Sequence, residues 1–247
     1  ETEPDRWDTS SLKLMISSGA MFTTEVKRGL IDHVPELAIA DILGSTEGGM
    51  GQSIMTKDTP ASETAKFTLL PVAKVLLPDG SREVVPGSGE VGMVAQGGMV
   101  PLGYYKDPEK SAKTFKEVDG KRYAFIGDMA TVEADGTINL LGRGSNCINT
   151  GGEKVFPEEV EEALKLHPNV ADALVFGLED ERFGNRVAGV VSLEQGGTAE
   201  AGDILEATRK LLASYKLPKD LLVVPVVPRA PNGKADYKTA KSMMADG

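Results

Sequence analysis

The chain has 247 residues, 40% of them hydrophobic and 26% charged, and its formal net charge is −10. This composition is typical of a soluble globular protein of one or two domains, and an acidic chain without a basic block is a poor candidate for nucleic-acid binding. A single cysteine, Cys147, excludes an intrachain disulfide and a Cys-rich metal site, and no apolar run reaches the roughly 18 residues of a membrane-spanning helix.

The first stretch of the chain predicts two buried strands with a helix between them. Apolar residues alternate over 12–16 and lead into the small-residue turn Ser18-Gly19-Ala20, a pattern that indicates a short strand. Thr23 or Thr24 is suited to cap a helix that continues to about residue 33. The run 39–43 indicates a second strand, which leads into the turn Gly44-Ser45-Thr46-Glu47-Gly48-Gly49.

That turn combines the groups that phosphate and metal binding need. Glycines let the backbone approach a ligand, hydroxyls donate hydrogen bonds to phosphate oxygens, and a carboxylate is a hard ligand for Mg²⁺. The same composition also occurs in ordinary glycine-rich loops, so on these residues alone both interpretations stay open.

The middle of the chain predicts antiparallel strands separated by tight turns that are rich in Pro, Asp and Gly. Asp107 is suited to cap a short helix that begins at Pro108. The strand-like runs are 67–77, 83–85, 91–95, 123–126 and 138–141. We expect these runs to form a small antiparallel barrel or a curled sheet.

After Arg143 the pattern changes to alternating helices and strands. Pro157 starts a helix with an apolar stripe that comprises Val160, Ala163, Leu164 and His167. Asp203 with Glu206 resembles a capping box for a second helix that continues to about Tyr215. The strand-like runs are 171–176, 187–193 and 221–227. This alternation predicts a compact α+β domain, whose turn-rich tail carries Lys234.

Four motifs in this order resemble those of the adenylate-forming enzymes, the family of acyl-CoA synthetases, peptide-synthetase adenylation domains and luciferases. They are Leu43-Gly44-Ser45-Thr46-Glu47; Gly127-Asp128 with Asp135-Gly136 and Gly142-Arg143; Gly151-Gly152-Glu153-Lys154-Val155 with Glu158-Glu159-Val160-Glu161; and Pro231-Asn232-Gly233-Lys234. Each motif is weak alone, but the four in order are specific. The sequence is most similar in style to actinobacterial fatty-acid or steroid-acid CoA ligases.

The resemblance implies a reaction in two steps. A carboxylic acid attacks the α-phosphate of ATP, and coenzyme A then displaces AMP from the acyl-adenylate. By resemblance, Lys234 stabilises the transition-state charge of the first step, Thr46 contacts phosphate and Glu47 holds Mg²⁺. The other implied roles are nucleotide binding by Gly19, Ala20, Leu43, Gly44, Ser45, Asp128 and Arg143, a hinge at Ser145, and a CoA channel at Gly151, Gly152 and Glu153.

The resemblance covers only the second half of such an enzyme and implies three parts. Residues 1–65 would end a large α/β domain, 66–143 would form a β-barrel-like subdomain, and 144–247 a small, mobile α+β lid. The sequence contains no Ser/Thr/Gly-rich loop ending in Lys that would grip the outer phosphates, so we expect a missing N-terminal half and an inactive fragment. We expect a cytoplasmic protein without a signal peptide, membrane-peripheral at most through a lipid substrate.

Some residues depart from the family pattern or have simpler interpretations. Leu43 stands where the family has an aromatic residue, and Ser145 where it has Asp or Lys. Without the motifs, Asp128 and Arg143 would be an ordinary turn residue and a surface cation, and Cys147 is best interpreted as a small core residue. The apolar residues Met21, Met50 and Met55 suggest a hydrophobic acid as substrate.

Two rival functions also stay open. One is an adenylation module that transfers its acyl group to a carrier protein. The other is a non-catalytic fragment that binds a nucleotide or a partner.

Overall fold

The computed structural model describes residues 7–19, 22–59 and 63–245. The chain divides into two compact units, Glu1–Leu141 and Gly142–Gly247. Each unit has hydrophobic core clusters of its own. The division into three parts that the sequence suggested stays a prediction.

The first unit is built mainly of strands. In its described residues the helices are α1 (Thr24–His33) and α2 (Pro108–Thr114). The strands are β1 (Leu14–Ser18), β2 (Ala38–Ser45), β3 (Gly48–Met55), β4 (Lys66–Leu69), β5 (Ala73–Leu76), β6 (Gly92–Gln96), β7 (Phe115–Val118), β8 (Lys121–Val132) and β9 (Ile138–Arg143), the last of which ends just past the unit boundary.

The described strands of the first unit form one nine-stranded sheet in the order β1-β2-β3-β4-β9-β8-β6-β5, with β7 paired to β8. β1 and β2 are parallel, whereas β2, β3 and β4 pair antiparallel. The barrel-like form expected for 66–143 is therefore corrected to an open sheet in the described residues. The reason is that β4 pairs with both β3 and β9, so the later strands extend the first sheet instead of closing on themselves. The mixed α+β class is confirmed.

In the glycine-rich part of the first unit, the structure contains more strand residues than the sequence predicted. The run 44–49, expected as a loop, contains the end of β2 and the start of β3. Glycine is a weak strand former, but here it permits close packing, since a Cβ at Gly51 would lie 3.0 Å from the carbonyl oxygen of Thr68 on β4. The run 67–77 also divides into two strands, and 83–85 contributes only an isolated bridge from Glu83.

The two helix caps predicted in this unit are confirmed. The amide of Val26 donates to the Thr23 hydroxyl at 3.2 Å, at the start of α1. The amide of Lys110 donates to the Asp107 carboxylate at 3.0 Å, at the start of α2. Such side-chain caps satisfy amides that have no partner within the helix.

The second unit packs helices on a smaller sheet. In its described residues the helices are α3 (Pro157–Lys165), α4 (Ala201–Thr208) and α5 (Tyr237–Ala245). The strands are β10 (Ile148–Thr150), β11 (Glu153–Val155), β12 (Val170–Asp180), β13 (Gly184–Leu193) and β14 (Asp220–Val223), in the order β11-β10-β13-β12 with β14 paired parallel to β13.

The helix predictions in this unit had mixed outcomes. The stripe predicted for α3 is confirmed, because Val160 and Leu164 are fully buried against the sheet. The capping box is wrong: the amide of Asp203 donates to the Glu200 carbonyl at 3.1 Å, so Asp203 already lies in the first turn of α4. This helix ends before Tyr215, which lies in a separate 3₁₀ turn.

Candidate functional site

Thr46 and Glu47 form the two-residue turn of the β2–β3 hairpin. Ser45 lies opposite Gly48 across this hairpin, so the two turn residues project from its tip. Thr46 is exposed and Glu47 is half-buried. A hydroxyl and a carboxylate are thus presented side by side at the end of paired strands, which position functional groups more precisely than free loops do.

Gly48 allows this hairpin to pack against β6. Its φ is +144°, and a Cβ atom built on it would lie 2.1 Å from the carboxamide of Gln96. A side chain at this position would therefore displace either the hairpin or Gln96. The Gln96 side chain is 8% exposed, and its Oε1 has no hydrogen-bond partner in the described part of the chain.

The Glu47 carboxylate is held in its ionised form. It accepts a hydrogen bond from the hydroxyl of Tyr104. Burial opposes ionisation, but the hydrogen bonds from Tyr104 and Ser45 and the charge of Lys110 outweigh burial and lower the pKa of Glu47. The same hydrogen bond raises the pKa of Tyr104, which stays a donor. An ionised carboxylate is the form that binds a magnesium ion.

Tyr104 is a site residue that sequence reasoning missed. Its amide donates to the Ser111 hydroxyl at 2.8 Å, and its ring lies 5.3 Å from the Phe115 ring. The ammonium group of Lys110 lies 4.0 Å from the centre of the Tyr104 ring, a favourable cation–π arrangement. These contacts fix the hydroxyl that holds Glu47. The only signal in the sequence was an aromatic residue shortly before the α2 cap.

The ends of the parallel strands β1 and β2 bring three predicted nucleotide-binding residues close together. Ser18 donates from its hydroxyl to the Ile42 carbonyl at 2.8 Å, so Gly19 follows β1 beside Leu43 and Gly44. Leu43 is buried in a hydrophobic cluster. Ala20 lies outside the described residues. The proximity of strand ends agrees with a ligand site at this edge, while the individual roles stay predictions.

Asp128 lies within β8 and is 8% exposed. It follows Gly127, whose φ of +98° turns the strand locally. An ionised carboxylate is an acceptor only, which is the property that the predicted ribose contact needs. The sequence interpretation of a simple turn residue is wrong, because Asp128 belongs to a twelve-residue strand.

In the second unit, Arg143 and Ser145 lie beside a glycine whose backbone conformation would be strained for any other residue. Gly142 has a φ of +119°, and a Cβ atom on it would lie 2.1 Å from the Glu158 carboxylate. Arg143 ends β9 and is exposed. Ser145 lies in a 3₁₀ turn, and the next residue, Asn146, donates to the Tyr237 hydroxyl at 3.4 Å.

The glycine pair is the turn of the β10–β11 hairpin. Gly151 and Gly152 have φ values of +59° and +90°, and Thr150 lies opposite Glu153. Two positive φ values are the backbone of a tight hairpin turn in which glycine is preferred. The Gly151 amide donates to the Phe183 carbonyl at 3.0 Å, which ties this exposed turn to the end of the β12–β13 hairpin.

Lys234 lies near the opposite end of the same two strands. It is exposed, and no described residue forms an ion pair or hydrogen bond with its ammonium group. Its loop is bonded to Asp172 and Ala173, near the start of β12, through Arg229. From Ala173 to Asp180 the strand spans about 23 Å at about 3.3 Å per residue. The lysine and the glycine hairpin thus occupy separate ends of one domain.

Comparison with known proteins explains this set of motifs. Residues 159–234 match the family model of the AMP-binding enzyme C-terminal domain. These residues are an AMP-binding enzyme C-terminal domain. The match begins within α3 and ends at Lys234. The resemblance to adenylate-forming enzymes that the sequence motifs indicated is confirmed.

The similarity to named relatives extends beyond that domain. The chain is 46% identical over 238 residues to the 3-oxocholest-4-en-26-oate–CoA ligase of Rhodococcus rhodochrous, covering 95% of the chain and 42% of the relative. It is 46% identical to a medium/long-chain-fatty-acid–CoA/3-oxocholest-4-en-26-oate–CoA ligase of Mycolicibacterium smegmatis, covering 96% and 43%. The chain therefore spans less than half the length of these curated relatives.

The chain also resembles a solved structure in its fold. ATP-bound MatB from Rhodopseudomonas palustris is 27% identical to the chain and superposes with a TM-score of 0.77, over 94% of the chain and 45% of that protein. The chain therefore shares the fold of the corresponding part of that protein.

Beside Ser145, the second unit contains a cavity of about 220 Å³. Cys147 and Tyr237 are among its lining residues. Burial raises the pKa of the Cys147 thiol, with the negative charge of Glu158 acting in the same direction. A protonated thiol is a poor nucleophile, which supports the interpretation of Cys147 as a packing residue.

Glu47 suits a magnesium ion that is bound mainly through substrate. Within residues 7–19, 22–59 and 63–245, no three His, Cys, Asp or Glu side chains come together as a metal site. Magnesium is commonly held by one or two carboxylates together with phosphate oxygens and waters, so a single ionised Glu47 fits that arrangement. None of the helices in the described residues is long and apolar enough to cross a membrane.

Proposed function

We propose that the full polypeptide in which this chain occurs is an ATP-dependent acyl-CoA ligase. It activates a carboxylic acid as an acyl-adenylate and transfers the acyl group to coenzyme A. The observation that carries the proposal is that a chain 46% identical to named CoA ligases holds Thr46 and an ionised Glu47 together in one hairpin turn.

In the first step, Thr46 and Glu47 act on the phosphates. The Thr46 hydroxyl donates to a phosphate oxygen. Glu47 would hold a magnesium ion, which would neutralise phosphate charge. Asp128 accepts hydrogen bonds from the ribose hydroxyls, supported by Arg143. The Lys234 ammonium group stabilises the negative charge that develops at the α-phosphate, an effect worth several kcal/mol where water is excluded. The remaining nucleotide contacts are proposed at Gly19, Ala20, Leu43, Gly44 and Ser45.

In the second step, the exposed glycine hairpin lines the path of the CoA thiol. Gly151 and Gly152 leave the backbone accessible without side chains, and Glu153 follows them. Since this hairpin and Lys234 lie near opposite ends of a segment of β12 that is about 23 Å long, we expect that they do not serve one reaction centre at the same time. We infer that they act in turn, through a rotation whose dihedral changes are absorbed at Ser145.

The substrate class is inferred from the relatives. Their names describe steroid acids and medium- to long-chain fatty acids, so the proposed substrate is an acid with a large apolar group. The methionines that first suggested such a substrate do not support it. Met50 and Met55 are buried in hydrophobic clusters of the first unit, and Met21 lies outside the described residues.

The test uses the full polypeptide with ATP, Mg²⁺ and a panel of fatty, steroid and small polar acids. Acyl-CoA, AMP and pyrophosphate are the expected products with the apolar acids. Transfer to a carrier protein in place of CoA would support the adenylation-module alternative, and absence of any adenylate would support a binding role. Lys234→Ala should lower acyl-adenylate formation by at least about 100-fold, whereas Lys238→Ala, an exposed lysine on α5, should not.

We also propose that these 247 residues alone form no acyl-adenylate, because they lack a loop that could grip the outer phosphates. A burst of pyrophosphate from ATP and a fatty acid, catalysed by this chain alone, would contradict that statement. An active full polypeptide and an inactive isolated chain would support it.

A further inference from the structure

The loop that carries Lys234 is a tight turn with a fixed backbone. The amide of Gly233 donates to the Ala230 carbonyl, and the amide of Ala230 donates to the Lys234 carbonyl, both at 2.8 Å. The Lys234 amide donates to the Asn232 side chain at 3.2 Å, and Gly233 has a φ of +78°. The lysine therefore has a defined position relative to the start of the loop, at Arg229.

Arg229 bonds this turn to the sheet. Its Nε and Nη2 atoms donate to the two carboxylate oxygens of Asp172 at 2.6 and 2.7 Å. Its Nη1 donates to the Gly233 carbonyl at 3.3 Å, and its Nη2 contacts the Ala173 carbonyl at 3.5 Å. One planar guanidinium group thus joins the residue before Lys234 to two residues of β12. A bidentate pair of this kind fixes direction as well as distance.

The Asp172 carboxylate, which accepts the hydrogen bonds of Arg229, is itself held by a backbone amide. The Ala173 amide donates to Asp172 Oδ1 at 2.8 Å. Two residues further on, the Val175 amide donates to the buried Glu161 carboxyl group at 2.9 Å, which ties β12 to α3. The side chain of Asp172 is 29% exposed, but the strand on which it lies is hydrogen-bonded to α3 in the core of the second unit.

We propose that the Arg229–Asp172 pair, here called the clamp, is the positioning element of Lys234 in adenylate formation. Neither residue of the clamp touches the reacting atoms. It acts by holding the turn so that the ammonium group reaches the α-phosphate in one geometry. This inference rests on the proposed function. Misplacing a catalytic group by about 1 Å costs about 100-fold in rate, whereas the second step does not use Lys234.

The clamp predicts a selective loss in the full polypeptide. With dodecanoic acid as substrate, Arg229→Gln should slow acyl-adenylate formation by about 10- to 100-fold, while conversion of preformed dodecanoyl-adenylate to acyl-CoA stays within about twofold. Asp172→Asn, which keeps the side-chain shape, should show the same selectivity. The matched control is Arg186→Gln, which removes an Arg–Asp pair to Asp220 on the same sheet and should affect neither step.

A double variant with Lys234→Ala and Arg229→Gln distinguishes a failure of the clamp from a failure of the proposed function. If Lys234→Ala lowers adenylate formation by about 100-fold, adding Arg229→Gln should not lower the residual rate further. Full adenylate formation by Arg229→Gln or Asp172→Asn in a protein that needs Lys234 overturns the clamp. Equal slowing of both steps also overturns it, since that result indicates a general structural role. Full adenylate formation by Lys234→Ala overturns the proposed function itself.

Discussion

Glu161 gives the second unit a stability that depends on pH. The residue lies on α3 and is 9% exposed, and its carboxyl oxygen accepts a hydrogen bond from the Val175 amide. Burial raises its pKa from the ordinary 4.5 to about 7. The negative charge of Glu158 acts in the same direction, whereas the Val175 amide, Lys165 and Arg229 oppose it.

The sign of the effect follows from the raised pKa. Folding favours the protonated form of Glu161. The resulting contribution to the free energy of unfolding is fully present below pH 4.5 and is lost as the pH rises through about 7. Since one pKa unit corresponds to about 1.4 kcal/mol, the complete loss is about 3 kcal/mol. Most of it, about 2 to 3 kcal/mol, falls between about pH 5 and pH 8. Glu161→Gln stays neutral and keeps an oxygen acceptor, so it should not show this loss.

Amide hydrogen exchange of peptides from β12 measures this directly, since it reports the opening free energy of that region. Wild type and Glu161→Gln are compared at each pH from 5 to 8, which cancels the intrinsic pH dependence of exchange. The variant should gain stability over wild type as the pH rises. Glu206→Gln, at an exposed position on α4, is the matched control. A constant difference between Glu161→Gln and wild type across this range would refute the reasoning.

Two further predictions concern the first unit. Lys27 and Asp41 form a buried ion pair at 2.8 Å, with side chains 3% and 6% exposed; Lys27→Met should lower the free energy of unfolding by about 3–5 kcal/mol. The control is the exposed ion pair of Lys13 with Glu36, where Lys13→Met should lower the free energy of unfolding by less than about 1 kcal/mol. Equal losses for Lys27→Met and Lys13→Met in denaturant titrations would contradict the argument. Tyr104→Phe removes the hydrogen bond that lowers the pKa of Glu47, so in steady-state kinetics of the full polypeptide the KM for magnesium-ATP should rise about 2- to 10-fold and the acidic limb of the pH profile should move to higher pH. An unchanged KM and pH profile would show that Tyr104 does not tune Glu47.

Local patterns predicted the elements that local physics decides. The α1 and α2 caps and the α3 stripe depend on residues within a few positions of each other, and all three are confirmed. α5 was not predicted, although Asp236 provides a cap by accepting the Thr239 amide at 3.1 Å. The turn formers before it, Pro231 to Gly233, dominated the local pattern.

The residues that support the candidate site could not be predicted in the same way. The motifs identified Glu47, but its partner Tyr104 lies 57 residues away in sequence. Arg229 and Asp172 are also separated by 57 residues. Spacing carries no information about such pairs, because the sheet brings them together. The motif residues could therefore be identified from the sequence, whereas the side chains that hold them in place could be identified only from the fold.

The most direct test of the proposed function is exchange of labelled pyrophosphate into ATP by the full polypeptide, with and without dodecanoic acid. An adenylate-forming ligase should show exchange that requires the acid, does not require CoA, and is lost in Lys234→Ala. Release of ADP and phosphate, or the absence of acid-dependent exchange, would contradict the assignment.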